Sequence, residues 1–262
     1  MANVTEAVIG PYRAPSLGYN AHCSYSDTLR ITDQIKQHMN FDFFGRETAT
    51  ESSADIAHVV IAGWAGRDKT ALENHIAELE RAGIPRPETT PAFYRVGNNL
   101  LTQALEIQVS STSSSGEVEA IIFDATDGLW VGLGSDHTDR KLEAVSVALS
   151  KQVCPKPIAR CLWPFADVEG HWDDLELRSY RFDDGERSLY QEGSLAVNMH
   201  PTELIELYEQ RGNVFHTGTI MFCGTLAAKS EISFSERFEM EIYDPVLERR
   251  ISHAYDITAL PG

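Results

Sequence analysis

Cysteine is scarce in this chain of 262 residues. Its four cysteines, Cys23, Cys154, Cys161 and Cys223, are scattered and form no C-x-x-C pair. That is too few for a disulfide framework, and the expectation is reduced thiols in a cytoplasmic protein. Long apolar runs are missing too: none approaches the roughly 18–20 residues of a membrane span. The opening MANVTEAVIGPYRAPS has no apolar core behind a basic start and reads as no secretory signal. Basic residues are under-represented, with 22 Lys and Arg against 39 Asp and Glu and a net charge of −17. A chain this acidic is repelled by phosphate backbones, which argues against nucleic acid or an anionic membrane as a partner. The same balance suits carboxylates reserved for a cation, or simply a soluble acidic surface. What is present is ordinary: 42% hydrophobic and 23% charged residues exclude disorder, collagen and coiled coil as the main organisation. The length is within reach of one large β-rich domain.

Residues 1–55 read as an N-terminal arm or small cap, rich in Tyr, Ser, Asn and Thr, with an amphipathic piece at Ser26–Met39 that Ser26 or Asp27 could cap. From residue 56 to 262 a single domain is expected. HVVIAGWAG reads as a buried strand, and DKTALENHIAELERAG as a helix capped by Asp68. PAFYRV, ALEIQVSS, GEVEAIIFD, GLWVGLGS, LELRSYRF, GTIMFCGTL, RFEMEIYDP and RRISHAYDI alternate or run apolar between Gly, Asp, Pro and Ser clusters, and read as strands. DRKLEAVSVALSKQV and HPTELIELYEQRG are the clear helices of this half, and SSTSSSG is a hairpin loop. The fold class is α+β, β-rich, with few helices.

Three fragments carry chemistry. Glu117 and Glu119 are two apart on a predicted strand, so both face one side about 6.5–7 Å apart. Beside the apolar AIIF they repel each other unless the face is wet or a cation sits between them, and hard ions such as Mg²⁺ take such oxygen ligands. An ordinary solvent-facing strand edge gives the same spacing. In SDHTDR, Asp136, His137, Asp139 and Arg140 follow a Gly-rich strand end, where sites are often built; the alternative is a helix N-cap at Ser135 or Asp136. His75 and Glu78, three apart on the first helix, face the same side, as a general base and its orienting carboxylate do, or as an exposed pair does. Lys151, Gln191 and the Gly224-Thr225 strand end are uninformative singly.

In order, these pieces resemble the fumarylacetoacetate hydrolase superfamily. Its pattern is a helix with H-x-x-E, a strand with E-x-E, an N-D-x-x-x-R segment, a downstream Lys, a Gln after a hairpin and a strand ending T-G-T. Here these are His75 and Glu78, Glu117 and Glu119, Asp136 and Arg140, Lys151, Gln191, and Cys223-Gly224-Thr225, over residues 58–256. Six short motifs in one order are far more specific than any one. The family's Lys-Ser-Phe-Asp and Pro-Leu-Gly-Pro are replaced by KQVCPKP, and its Asn before the Asp is Ser135. The resemblance implies a mixed β-roll of the superfamily's C-terminal-domain type, a homodimer, and Glu117, Glu119 and Asp136 holding Mg²⁺ (or Ca²⁺ or Mn²⁺). It implies a catabolic hydrolase that cleaves a C–C bond next to a carbonyl in a small keto- or dioxo-acid. His75 with Glu78 would activate water, Lys151 would act on developing charge, and Gln191, Gly224, Thr225 and Arg140 would bind the carboxylate substrate. For Arg140, pairing with the acidic cluster is the favoured role, and His137 is the alternative base. Decarboxylation, isomerisation and C–N hydrolysis are alternatives at the same site, and a non-catalytic β-barrel binding module is the alternative of another class.

Overall fold

The computed structural model describes residues 35–45, 49–81 and 86–261. The chain opens with β1 (Gln37–Phe44), β2 (Ala49–Ile56), β3 (His58–Gly63), α1 (Lys69–Arg81) and β4 (Ala92–Val96). The middle holds β5 (Leu101–Thr102), β6 (Glu106–Val109), β7 (Ser114–Ser115), β8 (Val118–Ala125), β9 (Gly128–Ser135), β10 (Thr138–Asp139), α2 (Arg140–Glu143) and α3 (Val147–Gln152). Then come β11 (Lys156–Pro157), β12 (Cys161–Pro164), α4 (Phe165–Val168), β13 (Glu176–Asp183), β14 (Glu186–Ser194), α5 (Pro201–Gln210), β15 (Thr219–Thr225), β16 (Arg237–Asp244) and β17 (Arg249–Ala259). The β-rich reading with few helices holds.

Two sheets carry the fold. One has eight strands in the order β2-β1-β12-β9-β8-β15-β3-β4, the other five in the order β14-β13-β16-β17-β6. VEAIIFDA of β8 explains its central place, because it has apolar residues for both faces. Val118, Ala120 and Ile122 pack with Leu177, Met240, Ile242 and Tyr255 of the five-stranded sheet. Ile121 and Phe123 point the other way, into a second cluster with Phe41, Ile56, Ile158, Leu162 and Phe222. Phe41 stacks on Phe123 with ring centroids 5.5 Å apart. The long sheet therefore curls, so that its first strands cover its own middle.

The glycines of GLWVGLGS make this curl sterically possible. A Cβ at Gly134 would lie 2.6 Å from Phe222 Cε1, and one at Gly132 would lie 2.6 Å from Leu162 Cδ2. Each glycine gives up its side-chain volume to a neighbour that crosses the strand.

Several sequence expectations are corrected. β1 starts at Gln37, so the amphipathic helix expected over Ser26–Met39 does not include residues 37–39, and residues 26–34 lie outside the described residues. β1 pairs with β12 and β2, which puts the hairpin of residues 37–56 inside the large sheet, not in a separate arm. The helix expected over DRKLEAVSVALSKQV is two short ones, because Ser146 is extended at φ −160° and caps α3 by accepting from Leu149 N. Asp139, not Ser135 or Asp136, caps α2 by accepting from Leu142 N at 3.0 Å. Asp68 caps α1 as expected, accepting from the amides of Thr70 and Ala71.

Gly134→Ala should lower stability by about 1–3 kcal/mol, the usual cost of overpacking a dense core. Gly170→Ala, where an added Cβ meets nothing within 4 Å, should stay near wild type. Urea unfolding of the two variants measures the contrast, and equal midpoints would contradict the crowding argument.

Candidate metal centre

Glu117 precedes β8, Glu119 is its second residue, and Asp136 follows the end of β9, which pairs with β8. The register aligns Val118 with Ser135, and Asp136 N donates to Glu117 O at 3.0 Å. The three carboxylates thereby meet, each offering an oxygen within 4.8 Å of the others. Ligand oxygens on opposite sides of one Mg²⁺ or Ca²⁺ are about 4–5 Å apart, so the spacing fits a shared ion. Asp136 is fully buried, Glu119 is 2% exposed, and Glu117 is part-exposed.

Three cations surround the cluster. Lys151 donates to Asp136 Oδ2 and lies 3.8 Å from Glu117 Oε2. Lys156 Nζ lies 3.1 Å from Asp136 Oδ1 but donates to His137 O at 2.6 Å, leaving Oδ1 without an aligned donor. Arg140 bonds Glu117 at 3.1 Å, Glu143 at 3.0 Å and Ser115 Oγ at 2.7 Å. The carboxylates respond differently. Burial, then repulsion from Asp136 and Glu117, holds the Glu119 pKa well above the carboxylate range. Burial also pushes Asp136 up, but the charges of Lys151 and Lys156 outweigh it and hold its pKa low. Burial opposes the charge on Lys151, yet Asp136 and Glu117 prevail and raise its pKa, so Lys151 stays an ammonium. The oxygen-only donor set and the repulsion felt by Glu119 fit a hard divalent cation.

The remaining predicted residues build the wall of this cluster. Gly224, at φ +96°, donates its N–H to Glu119 Oε2 at 2.7 Å, at an irregularity in the β15–β8 pairing. A non-glycine residue is strained there. Gln191 is 2% exposed, and its amide is saturated: the oxygen accepts from Val118 N and Ser179 Oγ, and the nitrogen donates to Thr225 Oγ1 and Leu226 O. Thr225 Oγ1 in turn donates to Val118 O at 2.8 Å. The Gln191 amide, Gly224 N–H and Thr225 hydroxyl, expected to bind substrate, are bonded to the protein in this structure. Arg140 likewise pairs with the acidic cluster.

His137 is no free base. It is fully buried, with Nδ1 3.0 Å from Tyr255 Oη and Nε2 3.0 Å from Ser114 Oγ. Burial, then the charges of Lys156 and Arg140, push its pKa down to about 3. Tyr255 Oη also lies 2.8 Å from Ser135 Oγ, so the two sheets are joined beneath Asp136. His75 and Glu78 lie in α1, and their side chains are outside the described residues. Sequence reasoning missed Lys156 and Tyr255. The Pro-Lys-Pro at 155–157 was a signal for the first, since a lysine between prolines in an apolar context needs a partner. Cys154, Cys161 and Cys223 are free thiols, and Cys23 is outside the described residues. Among the described residues no helix is long and apolar enough to cross a membrane.

Solved structures share this architecture. A 2-keto-3-deoxy-D-arabinonate dehydratase complexed with magnesium and 2,5-dioxopentanoate matches at a TM-score of 0.57 and 15% identity, over 81% of this chain and 77% of that one. A 5-carboxymethyl-2-hydroxymuconate delta-isomerase from Mycobacterium smegmatis matches at 0.57 and 14%, over 82% and 88%. A candidate fumarylpyruvate hydrolase from Burkholderia cenocepacia matches at 0.56 and 15%, over 94% and 100%. The fold is that of the fumarylacetoacetate hydrolase superfamily. The chain belongs to the family DUF2848, described as a protein of unknown function, whose model matches residues 62–255. No curated protein matches the sequence.

The His137 geometry predicts a pH effect on stability. The unfolded chain takes up a proton near pH 6.5, whereas the folded chain resists until about 3. The unfolded state therefore binds one more proton in that window. Stability is at full strength above it and falls with pH by up to about 1.4 kcal/mol per unit. Urea unfolding at pH 7, 6 and 5 should show a flatter fall in His137→Asn than in wild type, and parallel curves would contradict a buried neutral imidazole.

Proposed function

We propose that the protein is a metal-dependent enzyme that cleaves a C–C bond next to a carbonyl in a small keto- or dioxo-acid. The observation that carries this is the meeting of Glu117, Glu119 and Asp136 at the buried end of β8 and β9. These residues would hold Mg²⁺, with Ca²⁺ or Mn²⁺ as alternatives, and the bound ion would supply Lewis-acid polarisation of a substrate carbonyl. Lys151, kept protonated by its carboxylate partners, offsets negative charge that develops on the substrate and can return a proton to the leaving carbon. It is no base while it is an ammonium. His75, paired with Glu78 by the H-x-x-E spacing, would take the proton of the attacking water. Arg140 keeps Glu117 aimed at the cluster, and Gly224 N–H does the same for Glu119.

A second reading keeps the site and changes the reaction. Two proteins of this fold named above are a dehydratase and an isomerase, which favours proton transfer without hydrolysis, and decarboxylation and C–N hydrolysis belong with it. Products identified by mass spectrometry from a panel of 2-keto and 2,4-dioxo acids separate the two. A cytoplasmic homodimer is the proposed assembly. A monomer by light scattering at micromolar concentration would overturn that part.

Calorimetric titration tests the metal. Wild type should bind one Mg²⁺ per chain, and Glu119→Gln should bind none measurably. His75→Ala should keep the binding and lose about 10²–10⁴-fold in turnover, the share of a general base. Saturable Mg²⁺ binding in Glu119→Gln would reject the assignment.

A further inference from the structure

Asn198 belongs to none of the motifs that mark this site. It follows the short turn of residues 195–197 that leads from β14 to α5 and is 6% exposed. Its side-chain Nδ2 donates to Gly224 O at 3.0 Å and to Thr225 O at 3.2 Å. Those are the carbonyls of the irregular strand end whose other side presents Gly224 N–H to Glu119. An amide that grips both carbonyls fixes the two peptide planes. The fit is close, because an added Cβ at Gly224 would lie 3.3 Å from Asn198 Cγ and 3.1 Å from Ala65 Cβ.

The backbone of the same residue holds a different segment. Residues 197–199 are zipped to residues 65–67, the connection from β3 to α1. Asn198 pairs with Gly66 in an isolated bridge, Met199 N donates to Ala65 O at 2.8 Å, and Arg67 N donates to Val197 O at 2.8 Å. Arg67 Nε donates to Asn198 O at 3.1 Å, while its other nitrogens hold Asp173 in a bidentate pair at 2.7 Å each. One residue thus touches the support of a carboxylate cluster and the root of the helix that carries His75 and Glu78.

We infer that Asn198 is a positioning residue for the divalent cation: its side-chain amide holds the Gly224 and Thr225 carbonyls, fixing the two peptides that directly follow the Cys223–Gly224 peptide whose N–H orients Glu119, and its backbone ties that support to the start of α1. It acts on the ion only through Gly224 and Glu119. Groups that orient metal ligands typically change affinity 10–100-fold when removed. This inference rests on the metal reading above.

The test is calorimetric titration of Mg²⁺ alone into purified full-length variants, with thermal unfolding in parallel. Asn198→Ala should bind Mg²⁺ about 10–100-fold more weakly than wild type. Asn213→Ala, which removes a comparable side-chain bond to Tyr208 O, should lose stability without a change in Mg²⁺ affinity. The Gly224→Ala variant disturbs the same peptides, so the Asn198→Ala/Gly224→Ala pair should be clearly less than additive. If Asn198→Ala does not fold, Asn198→Ser serves in its place and should show a loss of the same sense. Wild-type affinity in a folded Asn198 variant would overturn the inference alone. Absence of Mg²⁺ binding by wild type would overturn the metal reading instead.

Discussion

Everything around the site follows from bringing three carboxylates to one point while burying two of them. Glu119 and Asp136 are almost wholly out of water, where an uncompensated anion costs several kcal/mol. The protein answers in two ways. Asp136 is bracketed by Lys151 and Lys156, one toward each oxygen, so its charge is kept. Glu119 has a backbone N–H and, among the described residues, no ion pair, and burial with the neighbouring carboxylates keeps its pKa high. The cluster is charge-compensated on one side and under-compensated on the other, and a divalent cation would relieve the second.

The backbone is bent to serve that arrangement. Glycines in β9 let Phe222 and Leu162 cross close to the strand, which allows the sheet to curl. Gly224 at positive φ aims its N–H where a straight strand would have continued the ladder. Gln191 and Thr225 then take up the groups that the irregularity leaves unpaired. The polar residues that look available for substrate are in this sense the cost of the irregular strand end, and the carbonyls of that end are held by Asn198.

The sequence was legible where one element carried the signal. Alternation in GEVEAIIFD put Glu117 and Glu119 on one face, and the ordered motifs led to Asp136, Lys151 and the β-roll. It was less legible where partners come from far along the chain. Tyr255 reaches His137 from the other sheet, across 118 positions, and no local pattern announces that. Residues 1–55 read as an arm because they are rich in Tyr, Ser, Asn and Thr, and within them ATESSADI is polar because β2 is an edge strand, exposed along most of its length. Ser146 starts a new helix within a continuous helical pattern, three residues after α2 ends at Glu143, because its hydroxyl bonds the backbone as a cap.

The departure from the superfamily pattern at KQVCPKP now has a physical content. α3 delivers Lys151 to Asp136 Oδ2, and the chain leaves the helix, passes Pro155 and returns as β11 with Lys156 beside Oδ1. Two lysines five positions apart thus reach the same carboxylate from opposite sides. They do not do the same work. Lys151 also approaches Glu117 and has its pKa raised, so it remains charged at the edge of the cluster. Lys156 is fully buried, feels the charge of Lys151, and has its pKa lowered. Its bond to His137 O pins the turn that carries Asp136. One lysine is therefore electrostatically suited to chemistry and the other to holding the ligand in place, a division that the two positions in the sequence, read alone, do not distinguish.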